Sequence, residues 1–219
     1  MKKIIAVSVY GTNKRYFSGA LENAKIAKTL FPEWLYKVYL GSKAPINFKK
    51  ELLDLCNTEV VDVDENFIAT PTIFGPGVFW RFLEMFNDPN QIMICRDSDT
   101  RLIEREKKCI DEWIESDKKF SIIRDHPNHF EFPIIATMWG MKGNLDLIYR
   151  EKMKEYEKNH NYLSDQYYLA DVIWPIAKNN CMVHEIGNNS WFAKEREQSN
   201  PIFVGQGYYE DNRPIYPSW

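Results

Sequence analysis

The first long apolar run of the chain places the strongest constraint on its fold. Residues 4–9 read Ile-Ile-Ala-Val-Ser-Val and are almost continuously apolar, which is typical of a strand that helices cover on both faces. A helical pattern follows over 18–30 and is closed by Pro32, and the next strand is predicted over 36–40. Strands and helices continue to alternate, which indicates right-handed crossovers. We therefore expect an α/β fold with a central, mostly parallel sheet flanked by helices.

Composition narrows the class of protein. The chain has 219 residues, of which 44% are apolar and 15% aromatic, so it is long enough for one large domain. Its net charge of -3 comes without a long basic block, which argues against a nucleic-acid binder. The four cysteines are widely spaced, which argues against a zinc ribbon or a disulfide framework and favours a reducing compartment. No apolar segment reaches membrane length, so we expect a soluble, cytoplasmic protein.

Two carboxylates lie one residue apart where a central apolar run ends. Asp97 and Asp99 follow the strand predicted over 91–95, and side chains at i and i+2 of an extended segment share a face. They would converge on one hard cation that needs further oxygen ligands. Such pairs also occur as solvated turn residues, and the chain has a second acidic pair with the same spacing, Asp-Val-Asp at 62–64. Spacing alone does not distinguish them, but both pairs and Tyr10 are expected at the ligand-binding edge of the sheet.

The order of several short motifs resembles the GT-A class of nucleotide-sugar glycosyltransferases. The resemblance covers roughly residues 4–187 and rests on Val-Ser-Val-Tyr-Gly at 7–11, Arg-Asp-Ser-Asp at 96–99, Met-Trp-Gly at 138–140, Ser-Asp-Gln at 164–166 and His-Glu-Ile-Gly at 184–187. It implies one catalytic domain over 1–219, with a nucleotide-binding part at about 1–100 and an acceptor-side part at about 101–219. The implied activity moves a sugar from a nucleoside diphosphate, expected to be UDP, to a glycan hydroxyl. Similar small transferases occur in bacterial surface-glycan clusters and large DNA viruses.

The same resemblance assigns a donor site. It makes Asp97 and Asp99 the residues that hold Mn2+ or Mg2+ against the donor diphosphate, Ser98 a ribose contact, and Ser8, Tyr10 and Gly11 part of the nucleotide pocket. His184 is similar in position to a metal-binding histidine of some GT-A families, and a histidine ligand would favour Mn2+. The alternative for His184 is a strand-end histidine that is hydrogen-bonded to backbone.

Arg81 is the conspicuous polar member of an aromatic helical segment that precedes the acidic strand. Its guanidinium would bind a phosphate through two hydrogen bonds or reach a ribose. The alternative is a helix-surface ion pair with Glu84 or Asp88. Arg15 and Lys14, in the loop after the first strand, are weaker phosphate candidates that we expect to be solvated.

The same resemblance makes Asp165 the predicted general base, because in inverting members an Asp or Glu near the start of a late helix takes the proton of the acceptor hydroxyl. In retaining members a residue in an Asp-Gln context lies near the donor sugar instead. A carboxylate at the start of a helix is also favoured by the helix dipole alone. Asp125 and His126, in a loop after a strand, are the competing base, and Asp125 is also a candidate contact for the acceptor or donor sugar. Trp139 and Gly140 are candidates for a sugar-stacking platform, with a buried core position as the alternative.

Two other classes compete with this interpretation. Phosphatases of the haloacid dehalogenase type also end an apolar strand in Asp-x-Asp, but they want a threonine two places after the second Asp, whereas Thr100 follows Asp99 directly. They also place the pair on the first strand, and here it follows about the fourth. The other alternative is a non-catalytic domain that binds a sugar nucleotide without turnover.

Overall fold

Strands and helices alternate through the first half of the chain. The computed structural model describes residues 1–55, 57–63, 77–159, 163–198 and 202–215. Before the first gap of several residues, the elements are β1 (Lys2–Val9), α1 (Lys14–Leu30), β2 (Leu35–Gly41), α2 (Phe48–Leu53) and β3 (Thr58–Val63). They are followed by α3 (Gly77–Trp80), a 3-10 segment (Arg81–Phe86), β4 (Gln91–Asp97), α4 (Glu104–Glu115) and β5 (Phe120–Arg124).

The second half is richer in short helices. Its elements are a 3-10 turn (Pro127–Phe130), β6 (Trp139–Lys142), α5 (Leu147–Asn159), α6 (Ser164–Tyr168), a π-helical turn (Leu169–Ile173), α7 (Trp174–Ala177), β7 (Cys181–Glu185) and α8 (Trp191–Gln198). No helix in the described ranges is both long and apolar enough to cross a membrane.

The strands form one seven-stranded sheet in the order β3-β2-β1-β4-β6-β5-β7. Every neighbouring pair is parallel except for β6, which runs antiparallel to both β4 and β5. The predicted α/β fold with a mostly parallel sheet is therefore confirmed. The chain builds outward from β1 to β2 and β3 on one side and to β4 on the other. The strand order thus reverses between β1 and β4, and a crevice is expected outside their carboxyl ends.

The continuous apolar run of β1 is explained by cores on both faces of the sheet. Ile5 and Val7 pack in the core formed with α1, α2 and α4, whereas Ile4 and Ala6 pack in the core formed with α3, α5 and α6. Alternate side chains of a strand point to opposite faces, so a strand buried on both sides needs apolar residues at every position. Ser8, at the carboxyl end, lies opposite Asp97 of β4.

The sequence pattern predicts a loop over 70–77, a helix over 78–86, a strand-like apolar run over 134–139 and a helix that continues to Trp174, before Pro175. The last three predictions differ from the structure. The segment after α3 continues as a 3-10 helix, and the apolar run at 134–138 precedes β6 without joining it. Pro175 does not end the helical region, because the π-helical turn before it allows α7 to begin with a proline near its first position, where no backbone N–H is needed. Most of the loop predicted over 70–77 lies outside the described residues.

Helix α1 holds the turn that follows β4. The side-chain amide of Asn23 donates to the carbonyls of Ser98, at 3.1 Å, and Thr100, at 2.6 Å. Its oxygen accepts the backbone N–H of Leu102 at 3.1 Å. Gly19 allows this approach, because a Cβ atom there would lie 2.3 Å from the carbonyl oxygen of Ser98. The acidic turn is therefore positioned by a helix that lies about 80 residues earlier.

We expect Gly19→Ala to destabilise the protein by about 1–3 kcal/mol, because the new methyl group meets backbone that has no flexible end to move aside. Replacing glycine with alanine in a helix interior otherwise stabilises a protein by up to ~1 kcal/mol. The sign of the change in the free energy of unfolding therefore shows whether the new methyl group meets the acidic turn. Urea unfolding measures the change. Gly207→Ala is the matched control, since the nearest atom to a Cβ there is 3.7 Å away. Equal effects of the two substitutions would show that α1 does not press on the acidic turn.

Candidate functional site

A cavity of about 300 Å³ opens at the carboxyl ends of β1 and β4. This volume is at the lower end of what small-molecule sites use, roughly 300–1,000 Å³. The predicted site residues that line it are Ser8, Tyr10, Arg81, Asp97, Ser98, Asp99 and Asp165. The other lining residues are Arg15, Tyr16, Val78, Ala136, Thr137, Leu163 and Gln166. The acidic pair, its neighbouring arginines and a third carboxylate therefore share one space.

Arg81 joins two of the carboxylates. Its side chain is buried, Nη1 pairs with Oδ1 of Asp97, and Nη2 lies 3.0 Å from Oδ2 of Asp165. The backbone N–H of Arg81 donates to the hydroxyl of Ser8 at 3.0 Å, which ties the 3-10 segment to the end of β1. Burial opposes the charge, but Asp97 and Asp165 together raise the pKa of the guanidinium above its ordinary value. Arg81 therefore stays charged and fixes the spacing of the two carboxylates.

The alternative ion pair predicted for Arg81 does not form with Glu84. Glu84 is buried on the other side of the 3-10 segment, where Oε1 lies 2.6 Å from Nζ of Lys37 and accepts the hydroxyl of Tyr39 at 2.5 Å. These bonds from β2 hold the pKa of Glu84 below its ordinary value despite burial. Arg81 consequently directs its guanidinium into the cavity, where it pairs with Asp97 and Asp165.

Arg15 pairs with the second carboxylate of the acidic pair. Nη2 of Arg15 lies 2.8 Å from Oδ2 of Asp99. The side chain of Asn13 accepts the backbone N–H of Arg15 at 3.0 Å and caps α1, so the arginine leaves the first turn of the helix towards the cavity. The expectation that Arg15 is solvated is therefore wrong. Its place directly after β1, at the edge where ligands are expected, was the available signal in the sequence.

The ionisation of Asp99 is perturbed by its neighbours. Asp99 is 9% exposed. Burial and the adjacent charge of Asp97 raise the pKa of its carboxyl to about 6, although Arg15 acts in the opposite direction. A negative charge at Asp99 is therefore costly in the protein alone, and a cation placed between the two carboxylates would relieve that cost.

We expect Asp99→Asn to stabilise the protein at pH 7.5 and to have a smaller effect at pH 4. The folded-state pKa lies above the ordinary value of 3.8, so the unfolded chain loses its proton first and the folded state loses stability as pH rises through this window. The difference amounts to about 1–3 kcal/mol. Urea unfolding at the two pH values measures it, with Asp62→Asn as the exposed control. A stability difference that does not change with pH would contradict this explanation.

Asp165 begins the first turn of α6. It is buried, and its Oδ1 accepts the backbone N–H of Gln166 at 2.9 Å. Burial and the charge of Asp97 raise the pKa of its carboxyl, whereas Arg81 lowers it. Leu163, just before the helix, has a left-handed φ of 72°, a strained conformation for a leucine. Strain of this kind clusters at functional sites, where surrounding structure maintains it.

Tyr10 forms another part of the cavity wall. Its ring packs edge-on against Trp80, with ring centroids 5.6 Å apart. Gly77 leaves space for this ring, because a Cβ atom there would lie 2.3 Å from it. Burial raises the pKa of the Tyr10 hydroxyl, which therefore stays neutral and can donate a hydrogen bond. Gly11 follows with φ +74°, so the turn after β1 uses a conformation that suits glycine.

The chemistry of the acidic pair fits a divalent metal that is completed by a ligand. Asp97 and Asp99 supply hard carboxylate oxygens to one cavity. Within the described ranges, no group of three histidine, cysteine or acidic residues is arranged to hold a metal. Mg2+ is commonly held by one or two carboxylates together with substrate phosphates. The residues present therefore fit a cation that needs further oxygens from a bound diphosphate.

His184 does not lie with the acidic pair. It is buried on β7, where Nε2 is 3.1 Å from Oε2 of Glu112, and its ring packs against Trp191 and Phe192. It is not among the described residues that line the cavity. These contacts with α4 and α8 hold the imidazole on one face of the sheet. The assignment of His184 as a third metal ligand is therefore not supported by this geometry.

Asp125 also lies in the interior of the protein, away from the acidic pair. It is fully buried, pairs with Arg105, lies 3.8 Å from Nε of Arg196, and accepts the backbone N–H of Val204 at 2.7 Å. The neighbouring His126 uses Nδ1 to accept the backbone N–H of Asn128 at 3.2 Å. Neither Asp125 nor His126 appears among the described lining residues. The structure therefore gives both residues an anchoring role instead of a role at the sugar.

Trp139 and Gly140 belong to the core, in agreement with the alternative prediction. The Trp139 ring is buried and packs edge-on against Phe82, with centroids 5.6 Å apart. Gly140 pairs with Ile94 across β4 and β6, and a Cβ atom there would lie 2.6 Å from the carbonyl oxygen of Met93. The close approach predicted for this glycine is to another strand, so the sugar-platform assignment is corrected.

Among known proteins, matches to this chain come from solved structures. No family model matches the chain, and no curated protein matches it. A crystal structure of the galactosyltransferase LgtC with donor and acceptor sugar analogues matches with 12% identity and a TM-score of 0.46, covering 90% of this chain and 94% of that one. A structure of an LgtC active-site mutant matches at 12% and 0.45, with the same coverage.

A third solved structure is a glycosyltransferase involved in the glycosylation of the major capsid of PBCV-1. It matches with 13% identity and a TM-score of 0.47, covering 84% of this chain and 82% of that one. At these values the matches carry no residue-level correspondence. The function proposed for this chain therefore rests on the residues of its own cavity.

Proposed function

We propose that the chain is a metal-dependent glycosyltransferase that moves a sugar from a nucleoside diphosphate, expected to be UDP, to a hydroxyl of a glycan acceptor. The observation that carries this proposal is the convergence of Asp97, Asp99 and Asp165 with two arginines in one cavity at the reversal of strand order. It combines a place for a cation, donors for phosphate and a carboxylate for proton transfer.

The charges of the cavity suit the bond that breaks. Cleavage between the anomeric carbon and the diphosphate leaves negative charge on the departing oxygen. Asp97 and Asp99 would hold Mn2+ or Mg2+, which supplies a Lewis acid for that charge when it is bound. Arg81 keeps Asp97 in place from the other side and adds a fixed positive charge to the wall. These positive charges would stabilise the departing diphosphate more strongly than they stabilise the diphosphate of the intact donor.

Asp165 is the proposed general base. It lines the same cavity as the acidic pair, and Arg81 and the N–H of Gln166 hold its two oxygens in a defined orientation. Its raised pKa makes it a better proton acceptor than an exposed aspartate, which suits removal of the proton from an attacking hydroxyl. The acceptor would therefore enter on the side of α6.

The nucleotide would lie along the end of β1. Ser8, Tyr10 and Ser98 line this part of the cavity, and Gly11 shapes the turn beside it. The Tyr10 ring is braced by Trp80, so it offers a preorganised surface on which a base can stack. Ser98 lies between the two carboxylates and would reach the ribose.

A thermal-shift panel tests the proposal. UDP, GDP and their sugars are each added with and without Mn2+, and a ligand that binds only the folded protein raises the melting temperature by mass action. We expect a shift with UDP that requires Mn2+. Hydrolysis of the UDP-sugar in the presence of Mn2+ then distinguishes a transferase from a non-catalytic binding domain. The absence of any shift in melting temperature across the whole panel would refute the proposed function.

A further inference from the structure

Each carboxylate of the acidic pair already has a cationic partner from the protein. Asp97 pairs with Arg81, which follows α3, and Asp99 lies 2.8 Å from Arg15 of α1. Both arginines line the cavity. A metal ion on the acidic pair would thus enter a position that two guanidinium groups now neutralise.

The two arginines are held very differently. Arg81 has 5% of its side chain exposed and contacts two carboxylates, so its release would leave Asp165 without its charged partner. Arg15 has 29% of its side chain exposed and contacts one carboxylate, with the hydroxyl of Tyr16 at 3.2 Å as a neutral neighbour. Of the two, Arg15 is the one that can leave its carboxylate without breaking a second ion pair.

Arg15 also has unused hydrogen-bonding capacity. Its Nε is buried and has no hydrogen-bond partner within the described part of the chain, and the same holds for Nε of Arg81. Buried donors of this kind usually have partners, and a bound anion is one way to provide them. The planar guanidinium matches two phosphate oxygens through Nε and Nη together.

We propose that Arg15 is a diphosphate-binding residue that neutralises Asp99 in the free protein and exchanges this carboxylate for phosphate when a cation binds. The inference rests on the proposed function and deepens it. Cation and guanidinium cannot both sit on Asp99 without repelling each other, so metal entry moves Arg15 aside. The displaced guanidinium remains beside the cation, which is where the donor diphosphate must lie.

This exchange predicts that a substitution of Arg15 changes two binding affinities in opposite directions. Removing the charge of Arg15 frees Asp99 from a competitor, so Mn2+ alone binds more tightly. The same change removes a charged donor to phosphate, so UDP binds less tightly in saturating Mn2+. A role for Arg15 in folding alone would weaken both affinities together.

Isothermal titration of the full chain measures both affinities. For Arg15→Gln we expect Mn2+ to bind about fivefold more tightly, the scale of a partly exposed ion pair, and UDP to bind about tenfold less tightly. Arg15→Lys keeps the charge but not the planar fork, so Mn2+ affinity should stay near wild type while UDP affinity falls. Lys14→Gln, an exposed neighbour with the same change in net charge, should alter each affinity less than about twofold.

Four outcomes would overturn the proposal. Equal Mn2+ affinities for wild type and Arg15→Gln would overturn it, because Arg15 would then not compete for Asp99. Parallel loss of both affinities would overturn it in favour of a structural role, and the Arg15→Lys variant covers the case in which Arg15→Gln does not fold. Wild-type protein that binds Mn2+ and UDP while Arg15→Gln behaves normally rejects this inference alone, whereas wild-type protein that binds neither rejects the proposed function as well.

Discussion

Asp97→Ala is expected to lower glycosyl transfer by about 10³-fold or more. The substitution removes one of the two carboxylates that would hold the cation, and stabilisation of a leaving group by a metal is worth several kcal/mol, at about 1.4 kcal/mol for each factor of ten. It also leaves Arg81 with Asp165 as its remaining carboxylate partner. Transfer or hydrolysis of a UDP-sugar in saturating Mn2+ measures the loss.

The chain provides its own control for this experiment. Asp62 belongs to the other acidic pair of this spacing, Asp-Val-Asp at 62–64, and lies near the carboxyl end of the parallel strand β3 at the same edge of the sheet. Its side chain is 66% exposed and pairs with Lys49, and it is not among the described cavity residues. Asp62→Ala should therefore leave activity within about twofold of wild type, as substitutions of solvated residues do. Similar losses for both variants would show that the cavity does not distinguish the two pairs.

Arg81→Met is expected to cost about 3–5 kcal/mol of stability, because it leaves the buried carboxylate of Asp165 and the partly exposed carboxylate of Asp97 without their charged partner. For a chain of this length, each kcal/mol lowers the melting temperature by roughly 2–4 °C. Activity should fall as well, since Asp97 and Asp165 lose the group that sets their separation. Urea unfolding and a transfer assay measure the two effects.

Two further variants separate this effect from the loss of any arginine. Arg150→Met removes a partly exposed pair with Glu157, at 2.7 Å, and should cost about 1 kcal/mol. Asp165→Asn combined with Arg81→Met should recover part of the lost stability, because it removes one of the stranded charges. If the double variant were as unstable as the sum of the single variants, the two residues would not be coupled in the way their 3.0 Å contact implies.

Much of the cavity could be predicted because parallel strands present their carboxyl ends at one edge. The continuous apolar run of β1 and the later run of β4 locate two strand ends, and these ends bring Ser8, Tyr10 and the acidic pair together. Asp165 could be identified from the order of the motifs. The 3-10 helix and the π-helical turn were not predictable in the same way, since short-range hydrogen-bond registers depend on the packing around them.

Local apolar patterns are enough to predict the α/β class, the positions of most strands and the edge at which Asp97 and Asp99 emerge. Which polar residues meet at that edge depends on the folded protein. His184 lies with Glu112 on one face of the sheet, Trp139 lies in the core, and Arg15 enters the cavity. Arg81 and Asp165 meet across 84 residues. Side-chain direction and charge pairing depend on elements that are distant in the chain, so local patterns cannot specify them.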